Sequence, residues 1–60
     1  MEQEIIHQIY QTYGKENIKN LHVEQNDDYR GDYLVWFDVL DDDHWSEHIH
    51  YVNKDNIKFV

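Results

Sequence analysis

Sixty residues with a formal net charge of −8, no cysteine and a mean hydropathy of −0.95 allow one domain. They exclude a disulfide scaffold, a thiolate metal site and a membrane-spanning helix, since no apolar run approaches the ~20 residues a span needs. Aromatic residues make up 15% of the chain, enough large apolar side chain to argue for a packed core and against disorder.

Residues 2–13 are predicted to be helical. Ile5, Ile6, Ile9, Tyr10 and Tyr13 form one apolar stripe at helical period, with Glu2 and Glu4 at the positive end of the helix dipole. Gly14 suits the left-handed position that ends a helix. Residues 18–25 read as a first strand, in which Leu21 and Val23 alternate with His22 and Glu24. Residues 26–32 form a polar turn. Its Arg30-Gly31-Asp32 matches the cell-adhesion tripeptide in letters, but reads as a glycine turn between charges.

Residues 33–40, Tyr-Leu-Val-Trp-Phe-Asp-Val-Leu, are the strongest strand of the chain. Tyr33, Val35, Phe37 and Val39 line one face, and Leu34, Trp36, Asp38 and Leu40 the other. Asp41-Asp42-Asp43 is a turn, and residues 44–52 return as a third strand. A three-residue loop pairs Val39 with Trp45, Val35 with Ile49 and Tyr33 with Tyr51, which keeps apolar faces together. The same register sets His48 opposite Trp36, His50 opposite Leu34 and Ser46 opposite Asp38. After a turn at residues 53–56, Ile57 and Phe59 alternate with Lys58 in a short fourth strand. The order α-β-β-β-β implies an α+β domain over residues 1–60, an N-terminal amphipathic helix on a small antiparallel sheet of three to four strands. Val35, Phe37, Val39, Ile49, Ile5 and Ile9 are the expected core.

The whole net charge falls between residues 24 and 47. Nine acids (Glu24, Asp27, Asp28, Asp32, Asp38, Asp41, Asp42, Asp43 and Glu47) meet one base, Arg30, while four acids and four lysines cancel elsewhere. That segment repels nucleic acid, so direct nucleic-acid binding is not expected. The leading functional expectation is a small interaction protein whose acidic surface meets a basic macromolecular partner. Its candidate contacts are Asp27, Asp28, Asp32, Asp38, Asp41, Asp42, Asp43, Glu47 and Trp36. In its sharper form the chain mimics nucleic acid and regulates or inhibits a nucleic-acid-binding protein. The bland account of the same charge is solubility.

A second reading places function on the sheet face that holds Trp36, Leu34, Leu40 and the histidines, as a homodimer or partner interface. A third is a metal site, because His44, His48 and His50 share strand parity and His48-Ile49-His50 sets two imidazoles on one face. Asp41-Asp42-Asp43 lacks the spaced ligands of a calcium loop, and no constellation specifies a catalytic reaction or a cofactor. The expectation is therefore a non-enzyme. The N-terminus Met1-Glu2-Gln3-Glu4 is acidic where a secretion signal is basic, which points to the cytoplasm. Alanine and proline are absent, and Phe, Tyr, Met, Ile, Asn and Lys supply 23 of the 60 residues, the bias of an A+T-rich genome. A bacterial or phage accessory protein fits that bias.

Overall fold

A computed structural model describes residues 1–57 and Phe59. It contains one helix, α1 (Glu2–Tyr13), a 3₁₀ turn (Lys15–Asn17) and three strands, β1 (Ile18–Gln25), β2 (Tyr33–Asp41) and β3 (His44–Val52). The strands form an antiparallel sheet in the order β1-β2-β3. This is the expected α+β architecture. Ile57 and Phe59 belong to no strand, and Lys58 and Val60, the rest of the anticipated fourth strand, lie outside the described residues.

The helix forms where the apolar period dictates. Ile5 and Ile9, one turn apart, are fully buried against the sheet. No side chain caps its start, so the Met1 carbonyl accepts the Glu4 and Ile5 amides at 3.1 and 3.2 Å. At the other end Gly14 takes φ 89° and ψ 129°, with its amide donating to the Tyr10 carbonyl at 2.8 Å. The positive φ is the expected one, but the extended ψ is not left-handed helix, and it swings the chain straight into the 3₁₀ turn. Asn17 closes that turn by donating its side-chain amide to the Tyr13 carbonyl at 2.8 Å.

The core comprises Ile5, Ile9, Val35, Phe37, Val39, Val52 and Phe59, with Tyr13, Ile18, Leu21, Val23, Tyr33 and Ile57 packed against it. The odd-numbered residues of β2 do face the helix. In β1 the core parity changes from Ile18 to Leu21 and Val23 because Asn20 and Leu21 together oppose Phe37. This bulge has Asn20 at φ 56°, a conformation asparagine tolerates better than most residues.

The register of β3 differs from the expected one. Asp41 pairs with His44, so the loop is the two residues Asp42 and Asp43, at φ 49° and 64°. Positive φ at both positions is the requirement of a type I′ hairpin turn, whose twist matches the strands it joins. The one-residue slip reverses every side chain of β3. Ser46, His48, His50 and Val52 now lie opposite Val39, Phe37, Val35 and Tyr33 on the helix side. Trp45, Glu47, Ile49 and Tyr51 face outward, and Ile49 is 59% exposed rather than a core residue. The physical reason lies in Glu47. The expected register would press its carboxylate against Phe37, whereas the observed one offers Phe37 an imidazole that can be neutral. Among the described residues no polar or charged residue is buried in the result.

Candidate interaction face

The side of the sheet away from α1 is built from all three strands. Lys19, His22 and Glu24 come from β1, Leu34, Trp36, Asp38 and Leu40 from β2, and Trp45, Glu47, Ile49 and Tyr51 from β3. Trp36 sits at its centre, paired with His22 on one side and Ile49 on the other. The expected partner His48 is on the opposite face, as is Ser46, and Asp38 stands across from Glu47 instead. Leu40 pairs with Trp45 and Leu34 with Tyr51, so the reversal of β3 carries its aromatic and aliphatic side chains to this face.

Several side chains hold the aromatic rings in place. The His22 ring stacks on Trp36 with centroids 4.1 Å apart and planes 25° apart. Lys19 Nζ lies 4.1 Å from the Trp45 ring centroid, and Arg30 Cζ lies 4.4 Å from that of Tyr51, both within cation–π range. The Asn20 amide, turned outward by the bulge, donates to Asp38 Oδ2 at 2.8 Å. Trp45, Ile49 and Tyr51 nevertheless remain exposed. A cluster of this kind resembles the aromatic anchors of binding surfaces more than scattered surface hydrophobes.

The candidate acids fall into three groups. Asp27, Asp28 and Asp32 lie in the β1–β2 loop, and Asp41, Asp42 and Asp43 lie at the far end of β2. The eight residue steps of β2 separate these ends by ~27 Å at about 3.4 Å per residue. Asp38 and Glu47 form the third group, on the face between them.

Two of the loop acids serve the fold. Asp28 accepts from Arg30 Nε at 2.9 Å, from the Arg30 backbone amide at 2.9 Å and from Asn26 Nδ2 at 2.8 Å. These bonds, with Arg30 first, hold its carboxyl well below the usual carboxylate range. Asp32 Oδ2 accepts the Lys54 amide at 2.8 Å, and the Asp32 amide donates to the Val52 carbonyl at 2.9 Å. Between them Gly31 is buried so close to β3 that a Cβ would lie 3.1 Å from both the amide nitrogen and the carbonyl oxygen of Val52. The Arg-Gly-Asp letters thus belong to a loop tied down onto the end of β3.

The histidines separate. His44 is exposed at the start of β3, while His48 and His50 stack on Phe37 with centroids 5.6 and 5.7 Å away, both at 17°. The rings of His48 and His50 are 6.0 Å apart. Tyr13 meets His48 edge-on at 5.6 Å, and Phe59 meets His50 at 5.3 Å. His50 Nε2 is buried with no hydrogen-bond partner among the described residues. Burial, then the neighbouring His48, lowers the pKa of His50 below the ordinary histidine value. Among the described residues no three His, Cys, Asp or Glu side chains come together as a metal-binding group. No described helix is long and apolar enough to cross a membrane.

Sequence reasoning placed Trp36 on this face but missed Trp45, Ile49 and Tyr51, because it fixed the β3 register from apolar matching. The signal that could have found them was Glu47, which that register would have buried. No protein-family model matches the chain, and no curated protein or solved structure matches it either.

Proposed function

We propose that this chain is a small non-enzymatic binding protein that docks a basic partner protein on its open sheet face. The observation that carries the reading is the cluster of Trp36, Trp45, Ile49 and Tyr51 on a face that α1 does not cover, with Asp38 and Glu47 set inside it. Apolar anchors supply contact area and the carboxylates select a cationic counterpart. The acids at the two ends of β2 extend the same negative field and steer encounter. A basic protein surface, such as one that otherwise contacts nucleic acid, has the matching charge.

The arrangement supports mixed apolar and ionic docking over a continuous imitation of phosphates. Duplex DNA carries one charge per ~1.7 Å of axis. Here the acids are grouped, and an indole occupies the centre of the face. A face-to-face homodimer is disfavoured by charge, since it would bring together two chains of −8 each. We place this activity in the cytoplasm of a bacterial or phage-infected cell, in keeping with a cysteine-free chain of A+T-rich codon bias.

Both tryptophans of the chain lie on the open face, so intrinsic fluorescence reports on it directly. The test is capture from an extract of the producing cells on wild-type and Trp36→Ala protein, followed by fluorescence titration of what is retained. The expected partner is basic, shifts the tryptophan emission and binds the folded Trp36→Ala variant at least tenfold more weakly, a loss of about 1.4 kcal/mol. An extract from which wild type retains nothing that Trp36→Ala does not would sink the reading.

A further inference from the structure

The two outer strands of the sheet are unequal. The edge at β1 is interrupted by the Asn20–Leu21 bulge and carries Lys19, two devices that discourage pairing with another strand. β3 runs nine residues in unbroken register with β2 and contains no proline, lysine or bulge. Its type I′ turn makes Asp41 and His44 a hydrogen-bonded pair, and such pairs alternate along an antiparallel ladder. The backbone groups of His44, Ser46, His48 and His50 therefore point at β2, and those of Trp45, Glu47 and Ile49 point away from the sheet. Among the described residues no backbone hydrogen bond reaches these outward groups. Beyond them the chain turns back, with Asn53 bridged to Asn56 and the Phe59 ring 5.3 Å from that of His50. Among the described residues the open stretch of the edge is thus 44–49.

We propose that this stretch of β3 receives an extended basic segment of a partner protein as a fourth strand. The inference rests on the basic-partner reading and specifies how that partner is held. Main-chain hydrogen bonds to Trp45, Glu47 and Ile49 supply the attachment, and side chains on the open face supply selectivity. Glu47 lies in the middle of the stretch and faces Asp38 across the strand pair, a like-charge opposition that weakens a sheet. Asp38 has the Asn20 amide, while among the described residues no base pairs with Glu47. A lysine or arginine beside Glu47 relieves that opposition. Apolar residues two positions before and after it fall beside Trp45 and Ile49, because alternate side chains share a face. The segment recognised is therefore apolar-x-basic-x-apolar. A second copy of this chain does not fit. Paired antiparallel about the middle of the stretch, it sets Glu47 against Glu47, with Asp38 of each copy alongside.

The test is selection of a display library of random 12-residue peptides on the immobilised full chain. The expected peptides carry a lysine or arginine flanked at two residues on either side by apolar residues. A synthetic chain N-methylated at the Ile49 amide keeps every side chain and every bond to β2, and is expected to bind them at least tenfold more weakly with an unchanged melting temperature. In a second variant, Glu47→Lys, the selected peptides should exchange their basic residue for an acidic one. Peptides that need Trp36 but are indifferent to both changes would overturn strand addition and leave face docking standing. Failure to enrich any peptide also overturns it, while the extract comparison with Trp36→Ala decides face docking separately. N-methyl-sensitive self-association of the chain would overturn the basic occupant in favour of a second copy.

Discussion

Phe37 is the largest fully buried side chain among the described residues. It is 1% exposed, and its ring meets Tyr13 from α1 at 5.5 Å, His48 and His50 from β3, and Phe59 at 6.3 Å. Replacing it with alanine opens a cavity under all of these at once, at a cost of ~3–5 kcal/mol. A domain of this size has little more than that in reserve. Chemical denaturation of Phe37→Ala is expected to show no cooperative transition at 25 °C. A midpoint close to wild type would mean that the core is elsewhere.

His50 makes the same cluster sensitive to acid. Its Nε2 has no hydrogen-bond partner among the described residues, the Phe37 and Phe59 rings beside it offer no acceptor for a second N–H, and the His48 ring lies 6.0 Å away centre to centre. The folded chain therefore binds a proton at His50 less readily than the unfolded chain does. Stability is full above the unfolded histidine value of about 6.5, and declines as pH falls from there through the lower folded value. Melting temperature should drop between pH 7.5 and 5, and His50→Phe, which keeps a ring against Phe37, should flatten that drop. An identical pH profile in the variant would remove His50 from the account.

At the scale of elements, the helix and all three strands could be read from the sequence because each carries its own period or composition. The span of α1 follows from Ile5, Ile9 and Tyr13, and that of β2 from an unbroken β-forming run. The relation of β3 to β2 could not be read the same way. It depends on the conformation of two aspartates, and both possible registers place apolar residues together somewhere. Trp45, Ile49 and Tyr51 match Val39, Val35 and Tyr33 about as well as they match Leu40, Trp36 and Leu34, so apolar matching alone does not decide between the faces. The bulge at Asn20 was equally hidden, since one unpaired residue leaves no period to detect. These two local backbone choices determine what the open face contains.

The turn can be tested on its own. Asp43 is a non-glycine residue at φ 64°, a conformation that L residues enter at a cost and glycine enters freely. Asp43→Gly creates the favoured Asp-Gly pair of a type I′ hairpin. Relief of a left-handed penalty of about 1–2 kcal/mol outweighs the roughly 0.5–1 kcal/mol of backbone freedom that glycine gives the unfolded chain. The variant should therefore be more stable than wild type by up to about 1 kcal/mol in denaturant titrations. A three-residue loop would also set its last residue, Asp43, left-handed but would leave Asp42 right-handed. Asp42→Gly therefore separates the two: a gain there as well marks the two-residue turn, and a loss of stability would count against it.

At the scale of the whole molecule, shape and charge act together. The chain is an elongated body of 35 × 17 × 17 Å, with the apolar part of its open face midway along β2 and acids toward both ends of that strand. The ends and the middle then have separable roles in binding. The carboxylates of Asp41, Asp42 and Asp43 are exposed at one end, where they act over roughly the ~8 Å screening length of physiological salt. In the proposed binding they would raise the rate at which a basic partner arrives. Trp36 and its neighbours would then set how long it stays. Converting the three aspartates to asparagine removes three carboxylates and takes the formal net charge from −8 to −5. The fold should survive, because asparagine enters the positive-φ region of Asp42 and Asp43 as readily as aspartate does. Stopped-flow tryptophan fluorescence is expected to show slower association for the triple variant, with a shallower salt dependence and little change in dissociation. Trp36→Ala should do the reverse, speeding dissociation at nearly constant association rate. If the triple variant associates at the wild-type rate with the same salt dependence, the acids serve solubility alone, and recognition belongs entirely to the apolar centre of the face.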